Sequence, residues 1–362
     1  MQLRQVDNYT PFEWFAFEKM APGQQMRDVL IVKAACQVAL RGDRYVFESV
    51  PAGDPPIHMS DAPHDYDGGP YASLRATGDT VLCKPGTDFL LTGSALPPDG
   101  PSDGWGAEIW LDVHRKQHRQ TLALHGERHW QYSLLSGWSL SDPEPCECID
   151  LRYELAYGGS YPEKDTWNRY PNNPVGRGHL PLRRMDKEVY YPAARIELLG
   201  NRLKAVDKPI AVPALGPIPR TWPSRKKYAG TYDQQWRANA KIHPDDTDYP
   251  SDFDTRFFQA AHPDWIFQPY WTGNETIGLA GFTGNKVIDG KLPGWQVIIT
   301  VPGPQGAAKS LPMHLDTVEL NLDHMRLYLV WRMSIDQSHQ IQTASVHLQQ
   351  SAQTKGAKNV HP

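Results

Sequence analysis

The first sustained apolar stretch of the chain runs Val29-Leu30-Ile31-Val32-Lys33-Ala34-Ala35-Cys36-Gln37-Val38-Ala39-Leu40 and reads as a strand. Arg41-Gly42-Asp43-Arg44 then turns the chain into Tyr45-Val46-Phe47, which predicts a hairpin. Asp88 to Ala95 is a further strand candidate. Glu108-Ile109-Trp110-Leu111-Asp112-Val113 alternates and is followed, after a charged turn at Lys116, by Arg119-Gln120-Thr121-Leu122-Ala123-Leu124, a second predicted hairpin. Late in the chain come Trp295 to Val301, Thr317 to Leu322, a turn at Asp323-His324 into Arg326 to Met333, and an alternating run from Ile341 to Leu348.

Helical periodicity is confined to Asp233–Ala240 and Asp252–Ala261, with Asp233 and Asp252 as N-caps; in the second, Phe253, Phe257 and Ala260 would share a face. Strands without regularly interposed helices argue against a parallel α/β fold. The predicted fold is mainly β: an antiparallel sandwich or curled sheets, with long irregular loops and two or three short helices. It is predicted as one domain over 1–348, or two packed subdomains dividing near 200–250, followed by a disordered polar tail over 349–362.

Composition narrows the functions. The 32 prolines and 29 glycines among 362 residues fit a turn-rich β protein, and 40% hydrophobic residues supply a core. Net charge is −4, from 37 basic and 41 acidic residues, which argues against nucleic acid or an anionic membrane as the main partner. No apolar run approaches the roughly 20 residues that span a bilayer. The opening Met1-Gln2-Leu3-Arg4-Gln5-Val6-Asp7 lacks the apolar core of a cleaved signal, so a cytoplasmic location is expected. Cys36 and Cys83 lie in apolar strand-like runs, and Cys146 and Cys148 in Pro-Glu-Pro-Cys-Glu-Cys; free thiols are expected.

Catalytic motifs are missing. There is no Gly-x-Ser-x-Gly elbow, and the glycine-rich Gly278 to Lys286 lacks the Gly-Lys-Ser/Thr ending of a phosphate loop. Cys146 and Cys148 have no second ligand pair for zinc. Asp245-Asp246-Thr247-Asp248 with Asp252 and Asp254 lacks the glycine-centred loop and closing glutamate of a calcium site. No catalytic, cofactor or metal residue is assigned, and a non-enzyme is expected.

The densest text lies between Gly216 and Ala261, where aromatics alternate with proline, arginine and aspartate. Trp222, Arg225, Tyr228, Tyr232, Trp236 and Phe258 there, with Arg177 in Asn173-Pro174-Val175-Gly176-Arg177-Gly178, are the candidate partner-binding residues. Rigid rings and guanidinium groups dominate interface energetics, but the same residues could instead lock irregular loops onto the sheet.

This text, together with Tyr153-Glu154-Leu155-Ala156-Tyr157-Gly158-Gly159, Ser73-Leu74-Arg75, Lys84-Pro85-Gly86-Thr87-Asp88, Leu315-Asp316-Thr317-Val318 and Leu329-Val330-Trp331-Arg332, resembles a bacterial family, domain of unknown function 2169, associated with type VI secretion. Ala35-Cys36 and His262-Pro263-Asp264 depart from its pattern. The resemblance implies a chaperone or adaptor, a monomer or weak dimer without cofactor. Such a protein holds a toxic effector, often PAAR-linked, and helps load it onto the VgrG spike. Two rivals are a carbohydrate-active hydrolase with tryptophan platforms and paired carboxylates, and a component of the spike itself, which would be a trimer. A deep pocket with facing carboxylates favours the hydrolase; a broad apolar groove with an aromatic centre favours the adaptor.

Overall fold

The apolar run at Val29–Leu40 lies in the longest strand among the described residues, Gln25–Arg41, and is buried on both faces from Val29 to Cys36, with Leu40 exposed at its end. The computed structural model describes residues 3–23, 25–53, 55–64, 69–234, 236, 249–303 and 307–350. Its main strands are β1 (Gln5–Asn8), β2 (Glu13–Ala21), β3 (Gln25–Arg41), β4 (Arg44–Pro51), β5 (Thr87–Thr92), β6 (Gly104–Val113), β7 (Lys116–His125), β8 (Ile196–Leu198), β9 (Ile266–Phe267), β10 (Thr276–Thr283), β11 (Lys286–Lys291), β12 (Trp295–Pro302), β13 (Ala308–Pro312), β14 (His314–Asn321), β15 (Arg326–Asp336) and β16 (Thr343–Gln350).

Twelve strands form one curled sheet in the order β8-β7-β6-β10-β11-β4-β3-β15-β14-β5-β9, with β2 pairing the first half of β3 and β4 its second half. A second sheet, β1-β16-β12-β13, closes over its concave side. Leu30, Val32, Ala34 and Cys36 of β3 join Phe89, Leu91, Val318, Leu320, Leu327 and Leu329 in the main core, with Val297, Ile299 and Val346 of the smaller sheet. Phe12 stacks between Trp295 (4.9 Å) and Trp331 (5.8 Å) at the junction.

The alternate residues face the other way, because side chains two apart share a face of a strand. Val29 and Ile31 meet Val81, Leu82 and Phe258 in a second apolar cluster. The same face carries buried charges in pairs. Lys84 Nζ lies 2.8 Å from Asp88 Oδ2 and 2.7 Å from Thr317 Oγ1. Lys33 Nζ lies 2.8 Å from Asp79, and Arg332 Nε 2.6 Å from Asp316. Arg332 also donates to the Asp79 and Val81 carbonyls at 2.6 and 3.1 Å. These bonds fasten the irregular crossing segment from Thr77 to Gly86 across the sheet, since a buried charge is tolerated only when paired and hydrogen-bonded.

The predicted hairpins at Arg41/Arg44, Val113/Lys116 and Asn321/Arg326 are present. Most pairings are antiparallel, but β5/β14, β4/β11 and β1/β16 are parallel. Cys83 sits in the loop before β5, not in a strand. The Asp252–Ala261 helix is replaced by a 3-10 turn, Thr255–Phe258, capped by Asp254. It cannot continue because Ala260 N donates to Asp88 Oδ2 (2.8 Å) instead of to its own turn. Asp252, predicted as the cap, accepts instead from Thr231 N and Oγ1. The only α-helical turn among the described residues outside 233–248 is α1, Pro223–Lys226. The predicted Asp233–Ala240 helix lies mostly outside the described residues, as does the predicted tail beyond residue 350. Gln349 and Gln350 pair with β12.

Candidate functional site

Burial withdraws three of the predicted partner-binding residues from the surface. Trp222, just before α1, is 0% exposed; its Nε1 donates to the Tyr71 carbonyl (2.8 Å) and its ring meets Tyr153 edge-on at 5.1 Å. Arg225 is buried on α1 and donates to the carbonyls of Ile218 and Phe257, the latter at 2.9 Å. Burial lowers its pKa to about 10, although the Asp61 and Asp88 carboxylates oppose the shift. Phe258 packs into the cluster with Val29 and Val81. These three residues lock the irregular middle of the chain onto the sheet.

The other four are accessible. Tyr228 is half-buried under the Arg256 guanidinium, 4.3 Å from its ring centre, and Tyr232 is exposed, edge-on to Trp236 at 4.6 Å. Arg177 reaches Glu127 at 2.9 Å, and Arg195 holds the other oxygen of the same carboxylate at 2.9 Å.

A larger exposed apolar surface lies elsewhere, over a small cluster made by Trp130, Tyr157, Ala193, Ala194, Leu203, Val206 and Ile210. Strands His129–Ser133 and Gly137–Leu140 form a hairpin there, and Gly137 supplies the positive φ (70°) that its three-residue loop requires. Leu134 and Leu135 at its tip are 92% and 100% exposed. Beside them Tyr132 packs on Trp138 at 5.5 Å with Lys187 Nζ 4.6 Å from its ring centre, and exposed Tyr190 lies 4.7 Å from His129. The signal was available in the text Ser133-Leu134-Leu135-Ser136-Gly137, an apolar pair between turn residues, flanked by short aromatic runs.

A family model described as an uncharacterized protein conserved in bacteria (DUF2169) matches residues 24–332. The chain belongs to the DUF2169 family. No curated protein and no solved structure matches it. The matched span of this DUF2169 chain takes in β3, the charged face of the sheet and the exposed hairpin, and leaves β1 and β16 outside.

The charged face opens at one end into a polar cleft of about 490 Å³, lined by Lys33, His58, Arg75, Ser94, Glu319 and Tyr328 among others. Glu319 accepts from Thr92 Oγ1 at 2.8 Å, and Asp150 and Asp323 are both tied to Ser94. Asp79 accepts the His58 backbone N–H at 2.8 Å as well as Lys33. Burial raises the Glu319 carboxyl above its ordinary range, although nearby Lys33 opposes the shift. Burial and the Lys33 charge lower the His58 imidazole. Both shifts favour the uncharged form of each group, and both groups line the same cleft. Among the described residues no group of three or more His, Cys, Asp and Glu is placed to hold a metal ion. All four cysteines are free, and burial raises the Cys36 thiol to about 12. No helix among the described residues is long and apolar enough to cross a membrane.

The Glu319 shift has a definite sign. A carboxyl that binds its proton more tightly folded than unfolded adds stability in full below its ordinary value. That contribution disappears as pH rises through the raised value. The unfolding free energy of the parent minus that of Glu319→Gln should therefore fall with rising pH between about pH 4 and 8. Urea titrations across that range measure it; a difference that grows with pH would mean Lys33 outweighs burial.

Proposed function

We propose that this chain is a type VI secretion adaptor that binds a toxic effector and helps load it onto the VgrG spike. The observation that carries the reading is the hairpin tip, where Leu134 and Leu135 stand almost fully in solvent and the Tyr132–Trp138 pair follows in the adjoining strands. A contiguous apolar patch on a water-facing surface marks a docking site for another protein. The ordered sequence blocks whose resemblance implies an adaptor motivate the same role. Deleting the gene should lower the level or secretion of the effector encoded beside it, and the effector should co-purify with the tagged chain. Normal accumulation and secretion of the effector without this protein would sink the reading.

A second reading, a hydrolase acting on a polar substrate such as a glycan, is favoured by Glu319 in its cleft. It requires turnover by the purified chain that Glu319→Gln abolishes.

A further inference from the structure

The smaller sheet ends in an open edge. β13 pairs only with β12 among the described residues, and most of its side chains face solvent. Gly303 N donates to Ala307 O and Met313 N to Val297 O. In an antiparallel pair the inward-facing and outward-facing backbone groups alternate. With the observed register, Ala307, Lys309, Leu311 and Met313 therefore spend their backbone bonds on β12. Ala308, Ser310 and Pro312 turn theirs outward. Pro312 has no N–H, so the free edge offers the N–H groups of Ala308 and Ser310 and the carbonyls of all three.

The side chains are sorted the same way. Ser310 lies on one face, its hydroxyl 2.8 Å from Thr300. Lys309 and Leu311 lie on the other and line a groove of about 700 Å³ with Ile299, Val301, Met333 and Ile335. No Phe, Tyr or Trp lines it. The charges lining it are unequal: Arg27 and Asp336 compensate each other at 3.6 Å, whereas Lys309 has no carboxylate within ion-pair distance among the described residues. The lining thus carries one unpaired positive charge, that of Lys309.

We propose that the outer edge of β13 accepts an extended segment of the bound cargo protein as an added strand. Alternate apolar side chains of that segment enter the groove, and an acidic side chain faces Lys309. Main-chain bonds to Ala308 and Ser310 give affinity, and the groove and the lysine give selectivity. Only the source of the strand rests on the adaptor reading.

The test pans a phage-displayed library of random heptapeptides on the full-length chain. Enriched sequences should alternate apolar and polar residues, with aspartate or glutamate at one fixed position. Ser310→Pro removes an outward N–H and leaves the bonds to β12 in place; it should weaken the selected peptide about tenfold or more, while Ser310→Ala should not. Lys309→Glu, a second variant that leaves the backbone untouched, should turn the selection toward lysine and arginine. No enrichment, or enrichment indifferent to both Ser310→Pro and Lys309→Glu, overturns the proposal. So does a concentration-dependent dimer that Ser310→Pro abolishes, because the edge would then serve a second copy. Peptide capture with normal effector secretion in the deletion strain sinks the adaptor reading alone. Effector loss in that strain without peptide capture sinks the added strand alone.

Discussion

Asp88→Ala should cost about 3–5 kcal/mol, the range seen when one partner of a buried ion pair is removed. Asp88 is fully buried, and one carboxylate serves three donors: Lys84 Nζ at 2.8 Å, Gln259 Nε2 at 2.6 Å and Ala260 N at 2.8 Å. Alanine leaves the Lys84 ammonium buried with Thr317 Oγ1 as its remaining hydrogen-bond acceptor. Total stability of a folded domain is only about 5–15 kcal/mol, so the loss takes a large share of it. The loss should be strongly non-additive. In Lys84→Met/Asp88→Asn the stranded charge is gone and an amide oxygen can still accept from Ala260, so the double variant should be more stable than Asp88→Ala. Urea unfolding of the three proteins decides it. A cost below about 1 kcal/mol for Asp88→Ala would mean that the charged face does not hold the crossing segment down.

The charged face also shows where sequence reading stops. The hairpins were legible because each joins neighbouring runs through a short polar turn, as at Arg41-Gly42-Asp43-Arg44. The parallel pairing of β5 with β14 joins residues as distant as Asp88 and Thr317, and no local pattern carries it. One trace of it was visible: Lys33 interrupts the apolar run of β3, and a lysine there must find a partner, which the fold supplies as Asp79. Asp79 and Lys84 sit in text with turn-like composition, and their burial comes only from the segment that crosses the sheet.

The aromatic middle was legible as important, with an interface role and a locking role both open. Trp222 sends its indole N–H to Tyr71 and Arg225 its guanidinium to Phe257, both far along the chain, so no periodicity marks either as core. Interface and locking roles draw on the same residue types, and only burial separates them. Leu134 and Leu135 are the opposite case: apolar residues are ordinarily core, yet the hairpin tip leaves both almost fully exposed.

That exposure fixes the second large effect. Leu134→Ser/Leu135→Ser should leave folding stability within about 0.5 kcal/mol of the parent, because substitutions that touch no packed surface seldom do more. Its effect on cargo should be far larger. Burying one leucine side chain is worth about 1.5–3 kcal/mol, and 1.4 kcal/mol corresponds to a factor of ten. Losing both contacts should weaken capture of the neighbouring effector roughly a hundredfold or more by titration of purified proteins. Trp222→Ala is the contrasting control. It opens a cavity beside Tyr153 and strands the Tyr71 carbonyl, so it should lower stability by about 3–5 kcal/mol. Any effect on binding should then follow the fraction folded. Tyr232→Ser separates the two exposed patches: it should leave capture nearly unchanged if the hairpin is the docking element. If instead Tyr232→Ser abolishes capture and the leucine variant binds normally, the cargo sits against the Tyr228, Tyr232 and Trp236 surface. The apolar tip would then have to be explained by a different partner.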